Sequence, residues 1–205
     1  MRLLDKKNIF TFLFFALFQT FALGNNPEIA KKSIFEVLNT PEVQEITIQA
    51  NISTIIRNKR SKEYETGNLI YKDDQGLEKS YSIKLRARGK YRRRVCDFPP
   101  LKIKFSKKAL EKEDLKPFNN LKLVTHCKDD DLNEQTLLKE YQTYRLFNLL
   151  TEKSFKVKLL KVNYIDIDGT KTERYGFFIE SEEELAERLN GSLFEGFNTP
   201  DDSLN

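Results

Sequence analysis

Two stretches of alternating apolar and basic residues constrain the fold of this chain more than any other feature. In residues 81–88 and 101–105, every second side chain is apolar, and the side chains between them are polar and mostly basic. A period of two is typical of a β-strand with one face in a core and the other in water. The pattern predicts two strands with basic outer faces, which carry Lys84, Arg86, Arg88, Lys102 and Lys104.

Weaker patterns of the same kind extend this prediction to a sheet. Further strands are predicted at residues 46–52, 69–71, 121–125, 155–167 and 175–180. A long helix is predicted from about residue 131 to residue 150, capped by Asp131 or Asn133, and a shorter one over residues 182–190. The predicted fold class is therefore α+β, with a mostly antiparallel sheet packed on one long central helix.

The composition supports a single folded domain and excludes several classes of protein. The 205 residues are 39% hydrophobic and include 16 Phe and 8 Tyr, enough apolar area for one core. The chain contains one His and two Cys, which excludes zinc-finger arrays, disulfide-dense toxins and metal sites built on several imidazoles. A metal site made of carboxylates remains open.

The first 24 residues have the order of a secretory signal peptide. Three basic residues in the first seven precede an apolar run at residues 9–23, and small residues at Ala22 and Gly24 suit cleavage near Gly24. An uncleaved anchor is the alternative. Because the run is shorter than a spanning helix requires, no stable membrane span is expected in the mature chain. The predicted location is outside the cell, in the periplasm or in the cell envelope.

This interpretation divides the chain into four predicted segments. Residues 1–24 form the signal peptide, and residues 25–44 form a linker with a short amphipathic helix. Residues 45–190 form the folded domain, and residues 191–205 form a flexible tail that contains Gly, Asn and Pro.

Basic residues are concentrated in one part of the predicted sheet. Residues 84–104 hold nine basic residues and one acidic residue, although the mature chain would carry a net charge of only +2. The sheet face with Lys84, rimmed by Arg92, Arg93 and Arg94, is predicted to bind polyanions such as the anionic polymers of a cell envelope. Nucleic acid is an unlikely partner for an exported chain of such low net charge. Alternatively, the three arginines form a solvated loop that protects an edge strand.

Two further features suggest pairs of residues. In an oxidising compartment Cys96 and Cys127 are candidates for a disulfide, the alternative being two buried thiols. On the predicted central helix, Glu140 lies in an otherwise apolar stripe, so its carboxylate requires a cationic partner. Lys102 and Lys104 are the strand candidates. Kinases use such a pair to hold nucleotide phosphates, but an ordinary ion pair would look the same.

Four short runs resemble the amino-terminal half of the spore coat protein H (CotH) kinase-like family. They are LRARG at residues 85–89, FPPLKIKF at residues 98–105, LKLVTHC at residues 121–127 and YGFFIE at residues 175–180. The similarity covers roughly residues 45–190 as an ordered series of short patterns. Two departures are Lys90-Tyr91, where the family often has Asn and Ser, and Lys139-Glu140, where it often has Arg and Asn.

The resemblance implies the amino-terminal lobe of an atypical protein kinase that binds ATP and Mg. Lys102 or Lys104 would be the strand lysine, and Glu180 would lie at the crossing between lobes. The nucleotide or phosphate candidates are Lys102, Lys104, Arg86, Arg88, Glu140 and Glu180.

The family's catalytic aspartates lie in a carboxy-terminal lobe, beyond the matched residues. The resemblance therefore predicts phosphate or nucleotide recognition without catalysis by this chain alone, and a second protein that supplies the other lobe. The alternative functions are polyanion binding and an assembly role, in which surplus Phe and Tyr build an interface.

Overall fold

The computed structural model describes residues 30–194. The predicted signal peptide and most of the predicted tail lie outside the described residues. Seven strands are present in this region. They are β1 Gln44–Ala50, β2 Glu65–Lys72, β3 Glu78–Ala87, β4 Leu101–Phe105, β5 Asn120–Val124, β6 Val157–Ile165 and β7 Lys171–Ile179.

Six helices connect or flank these strands in the same region. They are α1 Ile34–Leu38, α2 Ile52–Arg57, α3 Arg92–Val95, α4 Lys107–Lys112, α5 Asp131–Leu150 and α6 Glu182–Arg188. The long α5 begins at the cap residue Asp130, whose side chain accepts a hydrogen bond from the backbone N–H of Asn133. Among the described helices, none is both long enough and apolar enough to cross a membrane.

The seven strands close into a barrel in the order β1-β2-β3-β4-β5-β7-β6. The closing pair is β1 with β6, which run parallel with Ile46 opposite Val162, while the other neighbours are antiparallel. The predicted fold class is therefore wrong, because the sheet closes on itself instead of packing on a central helix. Closure pairs β1 with β6, so neither strand is left as an exposed edge.

The barrel interior is the main hydrophobic core, and it is filled by the inward-facing residues of the strands. Examples are Ile48, Leu69, Leu85, Ile103 and Phe178, all of which are fully buried. Because alternate strand residues fill the interior, the outward positions are left to be covered by helices or to face water.

A close approach between β1 and β2 requires glycine at one position. A Cβ atom at Gly67 would lie 2.5 Å from the carbonyl oxygen of Gln49 and 2.7 Å from Cβ of Ala50. Both distances are below normal contact, so a larger residue at position 67 would push the two strands apart.

Helix α2 replaces the end of a predicted strand. The alternation of residues 46–52 was expected to continue through Ile52, but β1 ends at Ala50 and Ile52 begins the helix. Asn51 caps α2 through Thr54, and the carboxylate of Asp166 accepts from the backbone N–H groups of Ile52 at 3.1 Å and Ser53 at 2.9 Å. The prediction was wrong because the Asp166 contact comes from a distant part of the chain.

Helix α5 lies outside the barrel against β6 and β7. Leu137 is buried there, and Tyr141 and Tyr144 place their rings 5.8 and 5.9 Å from the ring of Phe177. Phe147, one turn after Tyr144 on the same helix, is 55% exposed. The last turn of the helix, with Leu149 and Leu150, is likewise exposed and does not cover the sheet.

Candidate anion-binding groove

The outer face of β3, β4 and β5 carries a row of three cations. In the strand register, Arg86 is opposite Lys102, and Lys102 is opposite Lys122. Like charges directly opposite each other on neighbouring strands are destabilising. The register therefore places three like charges side by side on neighbouring strands.

A groove of about 400 Å³ lies over this row. It contains six cationic side chains and two carboxylates, which gives a formal charge of +4. Among the described residues, those lining the groove are all polar or glycine. They are Lys62, Arg86, Arg88, Gly89, Arg93, Lys102, Asn120, Lys122, Ser181, Glu182 and Glu183.

A glycine turn brings two of the arginines into the groove. Gly89 has φ of +83°, in the left-handed region that favours glycine, and it turns the chain from β3 toward α3. The backbone N–H of Arg93 donates to the Gly89 carbonyl at 3.1 Å, which closes this turn. Arg88 and Arg93 therefore lie on either side of a bend whose geometry is fixed by Gly89.

A disulfide between Cys96 and Cys127 fixes the far end of α3. The bond joins residues separated by 31 positions and, from loop closure alone, would stabilise the fold by roughly 3 to 4 kcal/mol. The ammonium group of Lys59 also donates to the Cys96 carbonyl at 2.7 Å. These contacts hold the segment that carries Arg93 against the barrel.

Several of the groove cations lack full compensation. The Nε atoms of Arg86 and Arg93 are buried and have no hydrogen-bond partner among the described residues. The Arg86 guanidinium lies 5.1 Å from the centre of the Tyr64 ring, a cation–π contact that brings no negative charge. Burial lowers the pKa of the Arg88 guanidinium. Repulsion from Arg92 and Arg86 lowers this pKa further, whereas the negative charge of Glu182 raises it.

Glu182 is an internal anion at the edge of the groove. Its carboxylate accepts a hydrogen bond from the ammonium group of Lys122. Burial of the carboxylate acts in the opposite direction, but this hydrogen bond and the charges of Lys122 and Arg88 hold the pKa of Glu182 below its usual range. An incoming anion would compete with Glu182 for Lys122.

The groove gathers part of the predicted set of residues. Arg86, Arg88, Lys102 and Arg93 line it together. Lys84 and Lys104 form the next cross-strand pair of the same face, opposite each other and exposed, but they do not line the groove. Arg94 is exposed beside α3.

Two groove cations were missed in the sequence. Lys122 lies between Leu121 and Leu123, so the same period of two that predicted the basic faces of β3 and β4 would have identified it. Lys62 belongs to the connection between α2 and β2 and carries no periodic signal.

The predicted pairing of Glu140 with Lys102 or Lys104 is wrong. Its Oε2 atom is 2.7 Å from Nη2 of Arg92, and its side chain is 31% exposed. The prediction failed because α5 covers β6 and β7, whereas both lysines lie on β4. The pair joins α3 to α5 at the surface, where such pairs contribute about 0 to 1 kcal/mol.

Glu180 does not belong to the groove, contrary to its predicted place in a nucleotide site. It is buried and accepts hydrogen bonds from the backbone N–H of Lys156 at 2.9 Å, and from Nε and Nη2 of Arg188 at 2.9 and 2.8 Å. Arg188 also donates to the carbonyls of Glu152 and Ser154. Glu180 and Arg188 together therefore fasten α6 to the segment that connects α5 to β6.

Within residues 30–194, no group of three or more His, Cys, Asp or Glu side chains is arranged to hold a metal ion. The predicted use of ATP and Mg stays a prediction.

Comparison with protein-family models finds no match for the chain, and comparisons with curated proteins and with solved structures also find none.

Proposed function

We propose that this chain binds phosphate-bearing anions in the groove on the outer face of β3, β4 and β5. The observation that carries the proposal is the row of Arg86, Lys102 and Lys122 across three adjacent strands. Such a row costs stability in the absence of a counterion, and a bound anion would remove that cost.

The residue types favour phosphate over a single carboxylate. Three arginines line the groove, and their planar guanidinium groups match the geometry of phosphate oxygens with two parallel N–H donors.

The lining favours the phosphate part of a ligand over a nucleoside. Among the described residues, the groove has no aromatic or aliphatic side chain on which a base could stack. Recognition of ATP, as the CotH-like resemblance implies, would therefore depend on its phosphates. The family resemblance stays a prediction, and no catalytic step is proposed.

The predicted export of the chain suggests which phosphate-bearing ligands the groove would meet. Outside a cell membrane, phosphate occurs at high density in anionic envelope polymers, which were the alternative expectation from the sequence. An assembly role would instead need a separate surface that binds another protein. Substitutions in that surface would abolish assembly and leave anion binding unchanged.

The test is calorimetric titration of the purified chain with tripolyphosphate, Mg-ATP and adenosine at matched ionic strength. We expect tripolyphosphate and Mg-ATP to bind and adenosine not to bind. A ligand at 100 times its dissociation constant should also stabilise the fold by about 2.7 kcal/mol.

The variant Lys102→Gln should weaken binding of tripolyphosphate at least tenfold. Its control is Lys171→Gln, which removes the same charge from an exposed residue of β7 outside the groove. Equal binding by the two variants would contradict the proposal.

A further inference from the structure

A second basic cavity adjoins the groove and has no role in the function proposed above. It has a volume of about 700 Å³. Its four cationic side chains and two carboxylates give a formal charge of +2. The charged residues that line it are Arg57, Lys59, Arg60, Glu63, Glu65 and Arg86.

Arg86 belongs to both cavities and forms their common wall. Its Nε atom is buried without a partner, and its guanidinium rests on the Tyr64 ring. Arg93, which lines the groove, donates from Nη1 to the carbonyl of Arg60 at 3.0 Å. The groove and the second cavity are therefore contiguous through Arg86 and Arg93.

Two cations of the second cavity, Arg57 and Lys59, donate to neutral oxygens, which supply no negative charge. Nη2 of Arg57 donates to the hydroxyl of Thr54 at 3.1 Å. The ammonium group of Lys59 donates to the Cys96 carbonyl. A small anion bound in the groove would leave these positive charges without a counterion.

We infer that the ligand is a linear polymer of phosphate groups, which runs from the groove over Arg86 into the second cavity. This inference rests on the proposed phosphate binding and deepens it. The repeating charge of such a polymer would meet cations in both cavities, and Arg86 would contact the phosphate between them. Tripolyphosphate, in contrast, would be held by the groove alone.

The test compares tripolyphosphate with long-chain polyphosphate and with poly(glycerol phosphate), at equal phosphate concentration and ionic strength. Polyphosphate is linked by phosphoanhydride bonds and poly(glycerol phosphate) by phosphodiester bonds. The comparison therefore shows which of the two kinds of polymer the protein binds. We expect at least one polymer to bind at least tenfold more tightly per site than tripolyphosphate, with a steeper dependence on salt.

The double variant Arg57→Gln/Arg60→Gln should bind the polymer no more tightly than tripolyphosphate. Its affinity for tripolyphosphate should stay within twofold of that of the unsubstituted protein. The matched control is Lys108→Gln/Lys171→Gln, which removes two charges from exposed residues outside both cavities. If the double variant fails to fold, Arg60→Gln can be tested alone. The described contact of Arg60 is through its backbone carbonyl, so this substitution should leave the fold intact. It should remove part of the higher affinity for the polymer.

The two proposals fail in different ways. Equal polymer affinity in the double variant and its control would overturn the polymer inference, while a loss in Lys102→Gln would keep phosphate binding. Equal affinity for tripolyphosphate and both polymers would also overturn the inference. Unchanged binding of every ligand by Lys102→Gln would overturn both proposals.

Discussion

The outer surface of the barrel differs sharply between its two sides. Around β6 and β7, the outward residues Phe177 and Ile179 are buried beneath α5 with Val124 and Leu137. Around β3, β4 and β5, the outward side chains of Arg86, Lys102 and Lys122 are cationic and line the open groove. The two regions meet at β5 and β7, where Lys122 is opposite Ile179.

The comparison shows that both regions use the same strand alternation, and that the outward residue types decide what happens next. When a helix covers apolar outward residues, their burial stabilises the fold. Cationic outward residues repel one another and would lose solvation beneath a helix, so they stay open to a counterion. One side of the barrel is therefore built for stability, whereas the other is suited to binding.

The largest expected effect that tests this comparison is on the apolar side. Phe177→Ala should lower the free energy of unfolding by about 3 to 5 kcal/mol, because it removes a fully buried ring that contacts Tyr141 and Tyr144. Urea denaturation measures the change. The matched control is Phe147→Ala on α5, which is 55% exposed and should cost less than about 0.5 kcal/mol. Equal losses would mean that Phe147, at the end of α5, is packed as tightly as Phe177 on β7.

The sequence predicted the parts of this comparison that depend on local periodicity. The alternation in β3 and β4 identified the inner and outer residues correctly, including the cations Arg86 and Lys102. The long helix was also predicted near its observed bounds from local signals, although its cap is Asp130 and not Asp131 or Asn133. Local patterns, however, do not say which strands are neighbours.

The parts that the sequence did not predict depend on pairing between distant segments. Closure of the barrel needs β1 to meet β6, as in the pair Ile46 and Val162, and no periodic signal records this. The placement of α5 over β6 and β7 gave Glu140 a different partner, Arg92. The cation Lys62 reaches the groove from a connecting segment for the same reason.

A smaller effect, of opposite sign, is expected on the basic side. Lys102→Gln should raise the free energy of unfolding by about 0.2 to 1 kcal/mol, because it relieves repulsion from Arg86 and Lys122 on the neighbouring strands. Thermal unfolding without phosphate measures the gain, which should exceed that of Lys171→Gln. A loss of stability in Lys102→Gln would mean that the lysine is compensated within the fold, and the groove would then lose its main argument.

The smallest expected effect concerns Glu182, which stands where an anionic ligand would compete for Lys122. Glu182→Gln should lower stability at neutral pH by no more than about 1 kcal/mol, because the ion pair is half exposed, yet it should tighten tripolyphosphate binding severalfold. Since the folded pKa of Glu182 is lowered, its contribution to stability is present above the unfolded pKa, near 4.3, and is lost as the pH falls through the folded value. The stability difference between the two proteins should therefore disappear in acid. If the affinity for tripolyphosphate at neutral pH is the same in both proteins, Glu182 does not compete with the ligand, and phosphate would bind nearer Arg88 and Arg93 than Lys122.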